Sequence, residues 1–421
     1  MTTNPISSLY FPQFRLLMYV HVLLSTGFWL QQIVIGWFIY EQTNSPLFTT
    51  LALSVDTIPI LFGGFIGGAL VDRFNPKKCI ILVTIGQCIF VSMLTVGLFI
   101  DTVPLLYVYP IIFCIGFTWV IYDPAKISLG MKLVDKDNIS NIFGMWICGF
   151  NLPRILASIG AGYLIFLIGP QYVLLVEICF IVIAFLCISF LKYDHTFSKN
   201  HKPNVLLNYP TKQIRNELSF NEIYVDIKDL LNMMKKDNIV TGFFLLSFTS
   251  IFLLVPATTG LLPVYASDIL KLDARGLGIL QSFCGLGQIS GIFFIGMIKQ
   301  KTIGKFAIWS LFISACFAIF FSISTIYYLS FLFIFVINIC IAIFHNSTSY
   351  AMFSTIEERF RGRLAGLQIS SFGLFIFGST FAGLLANIYG PSVSTITSMA
   401  IMIAISSAIT VKYRSIYSIS I

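Results

Sequence analysis

Charge is what this sequence lacks. Only 10% of its residues are Asp, Glu, Lys or Arg, against about 25% in an ordinary soluble domain. Hydrophobic residues make up 57% and the mean hydropathy is +0.89. A soluble core cannot absorb so much apolar surface, so the solvent has to be lipid. Also missing is any G-x-x-x-x-G-K-[S/T] string, which argues against ATP-driven work by this chain alone. No nucleophile–base pair and no metal-ligand spacing stands out, so no enzymatic centre, metal or cofactor is expected. The nine cysteines (79, 88, 114, 148, 179, 187, 284, 316 and 340) fall nearly all inside apolar stretches. They read as small, buried apolar side chains. The formal charge of +8 does not mark a nucleic-acid partner, because the basic residues are spread over loops rather than gathered on one domain.

What is present is a series of apolar stretches at 16–40, 47–71, 79–100, 104–123, 140–167, 171–191, 239–263, 276–298, 305–323, 327–349, 364–388 and 393–411. At 1.5 Å per helical residue, each is long enough for a transmembrane helix or close to it. The first reads as a span rather than a cleaved leader, being too long and lacking a small-residue cleavage site. The expected fold is an all-α membrane protein of twelve spans. With the N-terminus inside, the inner loops hold Arg73, Lys77, Lys78, Lys126, Lys132, Lys136, Lys299, Lys301, Lys305, Arg359, Arg361 and Arg363, and the outer loops only Lys271 and Arg275. Positive residues favour the cytoplasmic side, so both termini are expected in the cytoplasm of a cell that carries this chain in its inner (plasma) membrane.

The chain reads as two halves, 1–192 and 239–421. In the fifth span Gly162 precedes Gly169-Pro170, and in the eleventh Gly383 precedes Gly390-Pro391, an offset of 221 residues. Gly64, Gly67 and Gly68 in the second span have partners in Gly285, Gly287 and Gly291 of the eighth. A parallel repeat of six spans is expected from these two pairs. The polar linker 193–238 includes Phe220, Ile223, Tyr224, Ile227, Leu230, Leu231 and Met234 at helical spacing. An amphipathic helix over 220–236 on the membrane surface is expected, as a tether or as a regulatory segment.

Between the second and third spans stands Gly68-Ala-Leu-Val-Asp72-Arg73-Phe-Asn75-Pro76-Lys77-Lys78. Its spacing resembles the loop signature of the major facilitator superfamily of secondary transporters. Phe14-Arg15-Leu16-Leu17, Trp37 to Ser45, Asp123-Pro-Ala-Lys126, Phe150-Asn151-Leu-Pro153-Arg154-Ile155, Leu261-Leu-Pro263-Val-Tyr265 and Glu357 to Arg363 extend the likeness over most of the chain. Together they are similar to the branch of enterobactin-type siderophore exporters and macrolide-efflux proteins. Two departures stand out: Asn75 and Pro76 replace the usual Gly and Arg, and Phe28 replaces an acid common in the first span.

The resemblance implies that Gly68, Asp72, Arg73, Lys77 and Lys78 form a gating motif. The plainer role of those cations is to set topology. Ionisable residues inside spans are costly and usually functional, which singles out Asp56, Arg154 and Glu177 for proton coupling. Asp56 lies roughly 15 Å and Arg154 roughly 21 Å from the outer ends of their spans, close enough in depth to pair. Glu177 is one to two turns inside its span and within reach of the surface by snorkelling. Gln31, Gln32, Asn151, Gln288, Asn338, His345 and Asn346 are candidates to line a cavity. The expected function is secondary transport by alternating access, as a proton-coupled exporter of a small amphiphilic molecule such as a siderophore-like metabolite or a macrolide. Protons, cargo and lipid are then the partners, and the chain is a monomer. A non-transporting membrane scaffold or sensor on the same fold is the alternative.

Overall fold

The computed structural model describes residues 7–63, 74–100, 104–135, 138–192, 233–234, 237–295, 302–357 and 360–417. Gly68, Asp72, Arg73 and nearly all of the segment 220–236 lie outside the described residues. Among those described there is no strand, and twelve helices are long and apolar enough to cross a membrane. In hydrocarbon every backbone donor and acceptor must be satisfied within the segment, and the helix alone does that for a lone span. They are α1 (Pro12–Thr43), α2 (Pro46–Gly63), α3 (Pro76–Leu98), α4 (Leu105–Leu133), α5 (Asn141–Ile168), α6 (Pro170–Phe190), α7 (Asn238–Ile269), α8 (Ala274–Ile295), α9 (Ile303–Ile323), α10 (Tyr327–Thr355), α11 (Arg363–Tyr389) and α12 (Pro391–Lys412).

Local chemistry sets where they start. Pro12, Pro46, Pro76, Pro170 and Pro391 stand in the first turn of α1, α2, α3, α6 and α12, where a missing N–H costs nothing. The Asn75 side chain accepts from the Lys77 N–H at 2.9 Å. Asp237 accepts from the N–H groups of Ile239 and Val240 at 2.9 and 3.1 Å. Each is an N-cap that satisfies orphan donors. Gly169 (φ 97°) joins α5 to α6 and Gly390 (φ 88°) joins α11 to α12. Each donates its N–H back to its helix, to Ile165 and Ala386. A side chain at either position is strained by the left-handed backbone.

Several helices are interrupted. In α2 the helix stops at Ala52, turns through Leu53 and Ser54, and passes a 3-10 turn over Val55–Thr57. Pro59 is the physical cause, because its ring excludes the carbonyl four residues back, on Val55. The span expected over 47–71 is present over Pro46–Gly63, with this interruption inside it, and its residues 64–71 lie outside those described. In α7, stretches of wider π-helical winding run over Ser250–Leu254, Pro256–Gly260 and Tyr265–Ile269, next to Pro256 and Pro263. Helix α4 continues to Leu133 rather than ending near Asp123, and the cluster around Lys126 described below explains why. Cys79, Cys284 and Cys340 are buried as expected, but Cys148, Cys179 and Cys316 are exposed on the surfaces of their spans.

Links 44–45, 169, 270–273, 324–326 and 390 lie at one end of the bundle, here the Asn44 face; the opposite end is the Lys77 face. Within the first six spans α1 packs against α5 and α6, and α3 against α4 and α6. Within the last six, α10 packs against α8 and α9, and α9 against α12. The two sets meet along α5 with α8 and α2 with α11.

Candidate functional site

Helix α1 lies where the buried polar groups converge. Gln32 donates from Nε2 to Asp56 Oδ2 at 3.0 Å. The other Asp56 oxygen, Oδ1, is inaccessible and has no hydrogen-bond partner. Asp56 lies in the interrupted turn of α2, and Gly116 of α4 permits that turn to come close: a Cβ there would strike the Asp56 backbone. The break thus places a half-buried carboxyl group between α1, α2 and α4.

Arg154 projects from α5 onto α1, with its guanidinium carbon 4.4 Å from the centre of the Trp29 ring. It is 7% exposed, and its Nε has no partner. Trp29 is held by its own indole N–H, which donates to the Phe150 carbonyl of α5 at 2.9 Å. Phe28, Trp119 and Phe150 complete an aromatic cluster around it, with ring centres 5.1–5.3 Å apart in the pairs Phe28–Trp29, Phe28–Trp119 and Trp29–Phe150. The expected Asp56–Arg154 ion pair is not formed. Each group has a neutral partner instead, and those partners, Trp29 and Gln32, are one turn apart on α1. A depth counted along a helix leaves open the direction in which each side chain points, and here those directions take the two groups to different partners.

Glu177 does not snorkel. It is 3% exposed and lies on α6 against Gly27 of α1, where a Cβ would stand 3.0 Å from its Cγ. It lines a small, largely enclosed cavity together with Gln31 and Gln87.

The remaining polar candidates bond within their own helices or to near neighbours. Gln288 of α8 donates to Asn338 of α10 at 3.5 Å, and Asn338 donates to the Ile334 carbonyl. His345 of α10 lies 3.4 Å from the Ser250 hydroxyl in the wide turn of α7. Asn151 and Asn346 each donate to a carbonyl of their own helix. Of the basic motif, Lys77 is placed: its Nζ donates to the Ser189 carbonyl at the end of α6, at 3.0 Å. Lys78 is exposed.

One cluster was not anticipated. His21 of α1 is fully buried, with Nε2 3.1 Å from the Trp146 carbonyl and Nδ1 3.3 Å from the Tyr122 hydroxyl. A carbonyl only accepts, so Nε2 carries the hydrogen and Nδ1 accepts from the tyrosine. Lys126 lies over the rings of Tyr122 and Trp146, at 5.2 and 5.4 Å, and pairs with Asp123 at 2.6 Å. Counted from sequence as a loop cation, it is 7% exposed. The acid at i−3 and the aromatic at i−4 were the available signal, since both lie on the same helical face as the ammonium.

Contacts between the two sets of six gather toward the Asn44 face. The Tyr40 hydroxyl donates to Asp268 at 2.5 Å, and Ser45 donates to Asn387 at 2.9 Å. The Arg275 guanidinium lies 3.7 Å over the Phe166 ring. A Cβ on Gly162 would meet the Ala274 backbone at the start of α8, and one on Gly383 would meet Leu47 and Thr50 at the start of α2. Among the described residues no group of His, Cys, Asp and Glu could hold a metal ion.

A family model described as Major Facilitator Superfamily matches residues 17–377. No curated protein sequence matches. Solved structures do. The nucleoside transporter NupG aligns at 13% identity and TM-score 0.69, covering 96% of this chain and 99% of its own. The POT family transporter PepTSo aligns at 10% identity and TM-score 0.72, over 96% and 98% of the two chains. A bacterial homologue of the human lysosomal transporter Spinster aligns at 13% and 0.67, over 97% and 99%. At such identities the likeness carries the fold.

Proposed function

The chain belongs to the Major Facilitator Superfamily, and from that premise we propose that it is a proton-coupled exporter of small amphiphilic molecules. It is a membrane transporter of the major facilitator type, with twelve spans; the cargo, the coupling ion and the direction are proposed. The observation that carries the coupling is the Asp56 carboxyl. It is an acid inside a span, at a helix break, with one oxygen unpartnered, and such groups mark proton or ion pathways. Its single side-chain donor among the described residues is Gln32 of α1, so a shift of α1 against α2 changes how the carboxylate is solvated.

The lysine and arginine bias supports a cytoplasmic Lys77 face. With that orientation, the contacts at the Asn44 face close the outer side, and the arrangement is the inward-facing one. Residues 1–192 and 239–421 then act as rocking halves, and Asp72, Arg73, Lys77 and Lys78, with Gly68, brace the inner gate. The aromatic cluster of Phe28, Trp29, Trp119 and Phe150 suits a flat or amphiphilic cargo. The fold sets no cargo by itself, since its solved relatives include a nucleoside transporter. A siderophore-like catecholate and a macrolide remain the proposed classes.

The test is efflux of erythromycin and of dihydroxybenzoate from proteoliposomes under an imposed pH gradient. Wild type is expected to respond to the gradient with at least one of them. Asp56→Asn should transport at the gradient-free rate whatever gradient is imposed. A variant that still responds like wild type removes Asp56 from the coupling.

A further inference from the structure

We propose that Glu177, Gln31 and Gln87 form a buried proton-binding chamber inside the first six spans, completed by one water molecule. The chamber lies between α1, α3, α4 and α6, and its volume is about 10 Å³ as seen by the centre of a water molecule. That is roughly the room one water needs, provided two to four polar groups hold it. The walls supply three. Glu177 is 3% exposed, Gln31 and Gln87 are each 4% exposed, and all three line the cavity. Glu177 Oε2 is inaccessible and without a partner. Neither glutamine side chain makes a hydrogen bond to any described residue.

The rest of the lining is aliphatic or aromatic, with Phe28 and Trp119 among it. No other titratable or charged group faces the carboxyl from any of the four helices. An ionised carboxylate is acceptor-only and would stand there with no counter-charge. A carboxylic acid fits. It offers one O–H donor and a carbonyl acceptor, each amide offers both kinds, and a water links what geometry leaves apart. While the chamber is sealed, Glu177 therefore holds its proton.

Release requires solvent, and the seam that would admit it is the contact of Glu177 with Gly27 on α1. This same helix carries the partners of Asp56, Arg154 and Asp268. Movement of α1 that rearranges those contacts also opens or seals the chamber. The inference rests on the transporter reading and adds a second proton carrier to it, inside one half rather than between the halves.

The experiment is infrared difference spectroscopy of the full chain in lipid nanodiscs at neutral pH. Wild type minus Glu177→Gln should show a protonated-carboxyl stretching band that shifts in heavy water. Gln87→Leu and Gln31→Leu each remove one hydrogen-bond partner, so each should move the band while leaving its area. A thermal melt confirms that every variant is folded. Absence of the band, a band that both glutamine variants leave in place, or its loss on adding sodium at constant pH would each overturn the proposal. In proteoliposomes, Glu177→Gln should lose gradient-driven transport and keep gradient-free exchange; unchanged gradient response overturns the coupling part. A wild type that moves no cargo while showing the band would instead count against the transporter reading alone.

Discussion

Arg154 and Asp56 are groups of opposite charge, yet each is held by a neutral side chain of α1. A buried guanidinium keeps five donors, and here the Trp29 face is its main support. A desolvated cation–π contact of this kind is worth about 2 kcal/mol. A double-mutant cycle of Trp29→Leu and Arg154→Gln, read by thermal unfolding, should therefore give a coupling energy of about 1–2 kcal/mol. A coupling near zero would mean that the stacked geometry contributes nothing. The pairing with Asp56 was the natural expectation from sequence, because residue number gives depth at a fixed rise per residue. It failed because azimuth depends on which neighbour each helix meets. Gly116, which lets the broken turn of α2 approach α4, and Gln32, which takes Asp56 Oδ2, decided it. His21 was missed for a related reason, because its partners, the Tyr122 hydroxyl and the Trp146 carbonyl, stand on other helices; Lys126 has Asp123 and Tyr122 on its own helix as a signal, and only its contact with Trp146 is beyond counting along the chain.

At the scale of elements, the helices themselves were legible. Apolar length named all twelve, and the Gly169-Pro170 and Gly390-Pro391 corners were visible as letters. The breaks were less so, although Pro59, Pro256 and Pro263 mark where the winding changes. The start of α8 shows how much one cap carries. Asp273 Oδ1 accepts from the N–H groups of Arg275 and Gly276 at 3.0 and 3.3 Å. Its Oδ2 accepts from Arg275 Nε at 2.8 Å, and that arginine covers Phe166 of α5. The hydrogen bond from Arg275 holds the Asp273 carboxyl below its ordinary value of 3.8. A lowered folded-state value means that the stabilisation is complete above the unfolded value and disappears as pH falls through the folded one. Asp273→Ala should cost about 1 kcal/mol near neutral pH, the usual worth of a cap. The difference from wild type should fade below pH 3.8, as melting curves across pH would show. A difference that persists unchanged in acid would assign the effect to something other than the charge.

For the whole molecule, the contacts that matter are those that the proposed rocking of the halves would break in each cycle. Tyr40–Asp268 and Ser45–Asn387 tie the first six spans to the last six at the Asn44 face. In a cysteine-free background, Ser45→Cys with Asn387→Cys should cross-link under mild oxidation and stop transport, and reduction should restore it. Continued transport by a fully cross-linked sample would show that this face need not open. A single residue at Gly169 gives the larger design a mechanical meaning. Gly169 alone separates α5 from α6, with a left-handed backbone and a proline opening the next helix. The helix that bears Arg154 and abuts α8 is thereby joined by one residue to the helix that bears Glu177. On the proposed rocking of the halves, a displacement where the two sets of spans meet has no length of loop to cross before it reaches the acid's helix.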